Sequence, residues 1–351
     1  MDTLFMQQTA PAKPWAASQH LQSIPATVAP GQTAGDAEYF SGNGNSYTSS
    51  RLTASLPVFP DVRPICLEDK PLFDSILSAF PPQVSELTFT NLFAWRKAYG
   101  FVVSSLLGYL LIASSKGDKL DFLDPIGPQS MKKAVIEECF KRSQAGTDVT
   151  FMRLPSDTAE LFADDTRYAV EEDRDNFDYV YRLQDLTELS GGAYDGKRNL
   201  IKRFRKTYSF EYSPMTEADI EESLVFQEAW CTLKDCASTH GLATEREALQ
   251  EMLLNFQALG IKGGVIRVGG KIVALSLGEQ LNPETLVVHI EKADGEMVGI
   301  YQALNAMFTS AQAASFTFVN REQDLGIPGL RQAKLSYHPH HMVPKYKLSH
   351  A

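Results

Sequence analysis

His289, Glu291 and Lys292 stand together in the run TLVVHIEKAD. The later run NREQDLGIPGLRQAKLSY, at 320–337, adds Asn320, Arg321, Glu322, Asp324, Arg331, Lys334 and Tyr337. Strand alternation predicts that His289 and Glu291 share the face opposite Val288 and Ile290, so that imidazole and carboxylate act on one proton. Acyl transfer calls for those residue types: a base near neutral pKa takes the proton of an incoming hydroxyl or amine, and a cation such as Lys292 or Arg321 holds the developing oxyanion. A structural alternative stands beside this one, in which Glu291 pairs with Lys292 or Arg321 to fix the loop.

Pro328 and Gly329 open a short helix on which Arg331 and Lys334, three apart, share a face with Tyr337. That face suits an aminoacyl ester, a phosphate or a carboxylate, and Asp324 or Glu322 could hold a donor amino group. Upstream, GKRNLIKRFRK brings Arg198, Lys202, Arg205 and Lys206 to one side of a helix. Several phosphates of a tRNA or of lipid headgroups would fit there; a solvated face balancing an acidic chain is the alternative. The HPHH cluster at 338–341 has no carboxylate or cysteine at supporting spacing and reads as turn residues, so no metal is expected. No Ser-His-Asp set, Walker loop or dinucleotide fingerprint emerges.

These residues must be positioned by elements that can be read nearby. KGGVIRV, a Gly269-Gly270 turn, KIVALSLGEQL, an Asn282-Pro283-Glu284 turn and TLVVHIEKAD predict three successive strands. A helix over 298–314 and the SFTFVN strand follow, so the polar run starts at the end of a buried strand. Helices are expected at 216–235 and 244–259, with Glu217 and Glu245 in their first turns. An earlier segment has the same order: helices at 68–78 and 89–99, strands at 101–105 and 109–113, a helix at 129–142, then strands at 148–153 and 176–182. Helices, meander, helix and strand, given twice, suggest a structural duplication with the element order of GCN5-related acetyltransferases.

The chain has 351 residues, 44% hydrophobic and 22% charged, enough for two ordinary domains. Its net charge of -10 disfavours a basic DNA-binding coat while leaving room for a local anion site. Residues 1–60 are rich in Ala, Ser, Thr, Gln, Pro and Gly and read as a flexible low-complexity tail. The most apolar stretch, 101–113, is too short to span a bilayer as a helix. Cys66, Cys139, Cys231 and Cys236 lack CxxC spacing, and no export signal precedes them, so reduced thiols in a cytoplasmic protein are expected.

HIEKAD at 289–294, GIYQALN at 299–305 and the run at 320–337 resemble the bacterial phosphatidylglycerol lysyltransferase C-terminal domain family, formerly a domain of unknown function. FTNLFAWR at 89–96 and GKRNLIKRF at 196–204 add to the likeness, which covers about 61–348. The resemblance implies an α+β fold of two tandem acetyltransferase-like (GNAT-like) domains, each a mixed, mostly antiparallel sheet flanked by helices. They would occupy 61–185 and 213–351, joined by a basic helical linker at 186–212. Well-known relatives move an aminoacyl group from charged tRNA to a phospholipid hydroxyl and carry membrane helices that this sequence lacks.

The expected function is therefore aminoacyl or acyl transfer, with aminoacyl-tRNA as donor and no other cofactor. Glu291, His289 and Tyr301 are the candidate catalytic residues; Asn320, Arg321, Asp324, Arg331, Lys334 and Tyr337 are candidates for binding substrate. The basic linker would let the protein sit at an anionic membrane surface. A non-catalytic anion-binding module is the second reading and a coenzyme A-dependent acetyltransferase the third. Where coenzyme A enzymes carry Gln/Arg-x-x-Gly-x-Gly/Ala, this chain has Glu296, Gly299 and Tyr301, an acidic and a bulky residue in place of basic and small ones. Tyr301 either contacts substrate or packs beneath it.

Overall fold

The computed structural model describes residues 52–351 apart from 145 and 239. Most of the expected tail, 1–51, lies outside the described residues. Leu56 and Phe59, at the end of that stretch, are buried, Leu56 with Ile65 and Phe73 and Phe59 with Phe122 and Phe151.

Among the described residues, fourteen strands make up two seven-stranded sheets. In chain order they are β1 (Arg63–Pro64), β2 (Phe101–Leu106), β3 (Tyr109–Lys116), β4 (Lys119–Phe122), β5 (Asp148–Leu154), β6 (Tyr168–Glu172), β7 (Asp178–Arg182), β8 (Phe210–Pro214), β9 (Lys262–Val268), β10 (Lys271–Asn282), β11 (Thr285–Ala293), β12 (Phe318–Asn320), β13 (His341–Val343) and β14 (Tyr346–His350). The α-helices are α1 (Lys70–Ala79), α2 (Phe89–Tyr99), α3 (Lys132–Arg142), α4 (Ser156–Ala159), α5 (Leu183–Glu188), α6 (Asp195–Thr207), α7 (Ile220–Lys234), α8 (His240–Leu254), α9 (Phe256–Leu259), α10 (Ile300–Ala311) and α11 (Pro328–Leu335).

The duplication is visible in the ladders. In the first sheet β2, β3 and β4 form an antiparallel meander, and β5 returns after α3 to lie parallel to β4. In the second sheet β9, β10 and β11 form the meander, and β12 returns after α10 parallel to β11. A parallel return needs a crossover, and α3 and α10 supply it. The next place in each sheet is filled from the other half. C-terminal β14 pairs with β5 and β6 in the first sheet, while β7 pairs with β12 and β13 in the second.

A polar centre ties these exchanged strands together. Asp178 of β7 is fully buried and accepts hydrogen bonds from the Ser85 amide and hydroxyl, Lys345 Nζ and Asn320 Nδ2, at 2.7–3.0 Å. Lys345, also fully buried, reaches Glu86 at 2.6 Å as well. Burial raises the Glu86 carboxyl above its ordinary range despite that lysine. Such a pair costs desolvation, which the four donors gathered on Asp178 help to offset.

Sequence and structure part at the cysteines. Cys231 and Cys236 form a disulfide with their Cα atoms 5.0 Å apart, where the sequence predicts reduced thiols. Helix α7 ends at Lys234 and Asp235 turns into the left-handed region, so the chain doubles back and the five-residue spacing is not helical. Cys66 and Cys139 are free.

Candidate active site

The site lies where β11 and β12 part. Their parallel register runs from Thr285 opposite Phe318 to Val287 opposite Asn320; β12 then stops while β11 continues to Ala293. Between Leu277 and Gly278 of β10 the register shifts, pairing Leu277 with Ile290 and Gly278 with Val288. His289 is the extra residue of a β-bulge, which breaks strict alternation. Leu286 and Val288 pack with Phe308 of α10, whereas Ile290 belongs to the core that holds Leu249 and Met252 of α8. Beyond the bulge Glu291 returns to the α10 face, where Asn305 Nδ2 donates to it at 3.1 Å.

The expectation that His289 and Glu291 serve one proton is thereby corrected: they are on opposite faces and have no partner in common. His289 is held at 2.9 Å from Glu279 and 2.8 Å from Glu322. Burial lowers its pKa, but the two carboxylates outweigh burial and lift it to about 9. Glu291 instead accepts from Arg321 Nη2. Two ion pairs thus bridge the gap between the parted strands, Arg321–Glu291 on the α10 face and Glu322–His289 on the other.

Arg321 is nearly enclosed, its guanidinium 4.9 Å from the Tyr337 ring and 5.8 Å from the Tyr181 ring. Its Nη2 meets Glu291, but Nε and Nη1 are buried with no hydrogen-bond partner. Burial works against its charge and Glu291 more than restores it, so the guanidinium titrates above its ordinary range. Burial also raises the Tyr337 hydroxyl. Lys197 of α6 extends over the Tyr337 ring at 4.3 Å and donates to Ser336 Oγ at 2.6 Å. Burial, with Arg321 nearby, lowers Lys197 to about 8.

Several expected substrate contacts are turned inward. Asp324 is fully buried and accepts from Arg331 Nε and Nη2 at 2.8 Å, from the Tyr179 hydroxyl and from the Gly326 amide. Burial raises its carboxyl, and these donors outweigh burial to hold it below the usual range. Asp324 is thus committed within the fold, and Arg331, which also pairs with Asp175, is its clamp. Glu322 is spent on His289.

Lys334 points at the carbonyls of Arg321 and Glu322, and burial lowers it to about 8. It pins the turn in which Glu322 has φ +56° and so fixes where Arg321 begins. Asn320 is buried between Asp178 and the Glu322 amide. A shared outward face of Arg331, Lys334 and Tyr337 does not form, because the α11 turn buries Lys334 and Tyr337 while Arg331 swings to Asp324. Arg331 and Ser336 line a shallow groove along α11 with Gly326, Pro328, Gln332 and Leu335.

Tyr301 donates to the Ala293 carbonyl at 3.2 Å, and burial raises its hydroxyl. It packs beneath the end of β11 beside Trp230, which bonds the same carbonyl. Lys292, on the opposite face from Glu291, pairs with Glu245 at 2.6 Å and lies 3.7 Å from the Trp230 ring. On α6, Arg198 is occupied by Asp195 and the carbonyls of Leu189 and Gly191. Lys202, Arg205 and Lys206 are exposed and have no ion-pair partner among the described residues. Gly299, φ +88°, caps α10 against the Leu200 carbonyl of α6, which a Cβ would overlap. Backbone therefore packs against the turn where a coenzyme A pyrophosphate would be cradled.

Sequence reasoning missed Lys197, Ser336, Asn305 and Glu279. Lys197 had a usable signal: it lies four residues before Ile201 on the stripe that also holds buried Phe204, so it faces inward.

Among solved structures, a conserved protein of unknown function from Bacteroides thetaiotaomicron is 35% identical, with a TM-score of 0.76 over 83% of this chain and 99% of its own. L-PGS from Bacillus licheniformis is 18% identical, with a TM-score of 0.58 over 79% of this chain and 90% of that one. FemX shares the fold at 7% identity, with a TM-score of 0.53 over 82% of this chain and 96% of its own. No helix among the described residues is long and apolar enough to cross a membrane. Residues 78–349 match the family described as phosphatidylglycerol lysyltransferase, C-terminal, and the chain belongs to that family.

Proposed function

We infer that this protein transfers an aminoacyl or acyl group to a hydroxyl or amine, with the reaction centred on Arg321 and Glu291. The observation that carries this reading is the Arg321 guanidinium, which spends one nitrogen on Glu291 and leaves Nε and Nη1 buried and unpartnered. Buried donors without acceptors are costly, and donors fixed in place suit charge that develops during reaction. A donor carbonyl oxygen set against Arg321 receives one of those N–H groups as it becomes an oxyanion. Glu291 takes the proton of the attacking hydroxyl or amine. Collapse of the tetrahedral species breaks the donor C–O bond, and Lys197, lowered to about 8, is suited to give the leaving oxygen a proton.

The donor that fits is an aminoacyl-tRNA. Lys197 reaches the centre from α6, the same helix that exposes Lys202, Arg205 and Lys206 for a phosphate backbone. The family's description, phosphatidylglycerol lysyltransferase, C-terminal, supports an aminoacyl donor. The same exposed cations suit an anionic membrane surface, where a lipid acceptor would be met. Packing of α6 on Gly299 weighs against coenzyme A. A non-catalytic anion-recognition module is the second reading, favoured by how tightly Tyr337 covers the Arg321–Glu291 pair.

The test is side-by-side binding of charged tRNA, uncharged tRNA and acetyl-coenzyme A at one moderate salt concentration. Preference for charged tRNA, lost in Arg321→Met, supports aminoacyl transfer. Saturable coenzyme A binding, or equal affinity for both tRNA forms, overturns it.

A further inference from the structure

The geometry points to a buried hydration site beneath α10, in which water molecules join Tyr212, Ser276 and Asn305 and make Ser276 a positioning residue for Glu291. On β10, Ala274 packs with Ala303 and Leu304 of α10, and a Cβ at Gly278 would touch Phe308, so Ser276 between them faces α10 as well. Ser276 is fully buried and its hydroxyl has no partner. Its cross-strand neighbours are Glu291 on β11 and Gly264 on β9. The space a Gly264 side chain would fill holds the Tyr212 hydroxyl, which is buried and unpartnered in turn. From above, Asn305 gives Nδ2 to Glu291 and is left with Oδ1 buried and without a donor.

These groups form one row across the sheet, Tyr212, Ser276, Glu291, with Asn305 over it and Arg321 Nη2 on Glu291 at its end. Ser276 and Glu291 face each other on adjacent strands and Tyr212 Oη reaches over β9 to the Gly264 position beside Ser276, yet the Ser276 and Tyr212 hydroxyls make no direct hydrogen bond, and one water between each pair satisfies them. A buried water needs two to four polar partners, and two hydroxyls, an amide oxygen and a carboxylate supply them. Orphaned polar groups are rare in folded proteins, so several facing one space call for an occupant, and water is the one with both donors and acceptors. The positioning role rests on the proposed function, but the hydration site does not.

The experiment is a double-mutant cycle on thermal unfolding, with Ser276→Ala, Tyr212→Phe and the pair, alongside a crystal structure resolving ordered solvent. Bridging water predicts that each single change lowers the Tm by about 2–4 °C and that the double change is clearly less than additive, although β9 separates the two strands. Additive effects, or higher Tm values from removing dry hydroxyls, overturn the site, and so does a crystal structure without solvent density between Ser276 and Glu291. If the cycle couples but Ser276→Ala leaves the pH profile of aminoacyl transfer unmoved, the positioning role falls and the water site stands. Absence of transfer in the wild type removes the proposed function alone.

Discussion

Arg321 crosses from the end of β12 to Glu291 on β11, and the pair closes one face of the gap that His289 and Glu322 close on the other. In each pair one partner follows the last residue of β12 and the other lies at or just past the bulge in β11. The bulge therefore does more than bend the strand: by turning one residue to each face, it lets a short strand supply two bridges.

Arg321→Lys is the sharpest probe of this pair, because a lysine keeps the charge and loses the fork. Transfer activity is expected to fall by about 10²–10³-fold, the cost of removing a fixed oxyanion donor. Glu291→Gln should likewise abolish turnover with folding intact by circular dichroism. Full turnover in that variant would remove Glu291 from the mechanism.

His289 makes stability depend on pH in a defined direction. Its pKa is raised from 6.5 to about 9 in the fold, so the stabilisation is complete below the unfolded value and is lost as pH climbs through 9. The expected loss between pH 6 and pH 10 is on the order of 3 kcal/mol, by the usual conversion of a pKa shift. Urea unfolding at several pH values measures it, and His289→Gln should flatten that part of the curve. An unchanged slope would mean that the imidazole is not charged between Glu279 and Glu322.

Much of this was legible beforehand, for physical reasons. The β9–β10–β11 meander announces itself through Gly269-Gly270 and Asn282-Pro283-Glu284, and helix α10 through its apolar stripe. HIEKAD, GIYQALN, GKRNLIKRF and the run at 320–337 gather at the site, whereas FTNLFAWR packs in α2 against α8, and Glu291 and Arg321 do meet. Period-two counting failed at His289 because one inserted residue reverses the face of everything after it. Charge alone suggests that Asp324, Arg331 and Lys334 face substrate, whereas burial commits Asp324 and Lys334 to the loop and the ion pair with Asp324 commits Arg331. Nothing local marks β14 for the first sheet, since its partners in β5 and β6 are far away in sequence.

Asp324→Asn should destabilise the protein by about 3–5 kcal/mol, because it leaves Arg331 and Tyr179 aimed at a neutral, poorly matched group in a closed site. Glu138→Gln is the control, since its pairs with Lys141 and Arg142 are on the surface and should cost under about 1 kcal/mol. Urea midpoints at unchanged m-value give both numbers. Equal effects would show that Asp324 is not the centre of the loop.

Reversing charge at Lys202, Arg205 and Lys206 together tests the outer face of α6. Fewer phosphate contacts release fewer counterions, so the slope of log affinity for tRNA against log salt should shrink by about two to three units. The unfolding midpoint should hardly move, because the residues are exposed and unpaired. A preserved slope would place the nucleic acid elsewhere.

The exchanged strands lead to the most far-reaching expectation. Lys345 immediately precedes β14 of the first sheet, yet its ammonium holds Asp178 in β7 of the second, and Asp178 in turn holds Asn320 beside the turn that carries Arg321. Lys345→Met leaves a buried carboxylate unpaired and should cost about 3–5 kcal/mol. Its effect should spread in both directions. Backbone amides of β5 around Phe151 and those of Arg321 and Glu322 should lose hydrogen-exchange protection together, because β14 secures one sheet and Asp178 the other. Leu348→Ala supplies the contrast: it removes a fully buried side chain from the first core without touching Asp178. It is expected to cost about 2–5 kcal/mol while sparing the Arg321 amide under sub-global opening. If both variants expose the two regions alike, the chain opens as a single cooperative unit, and the Lys345–Asp178 contact is not a separate link between the sheets.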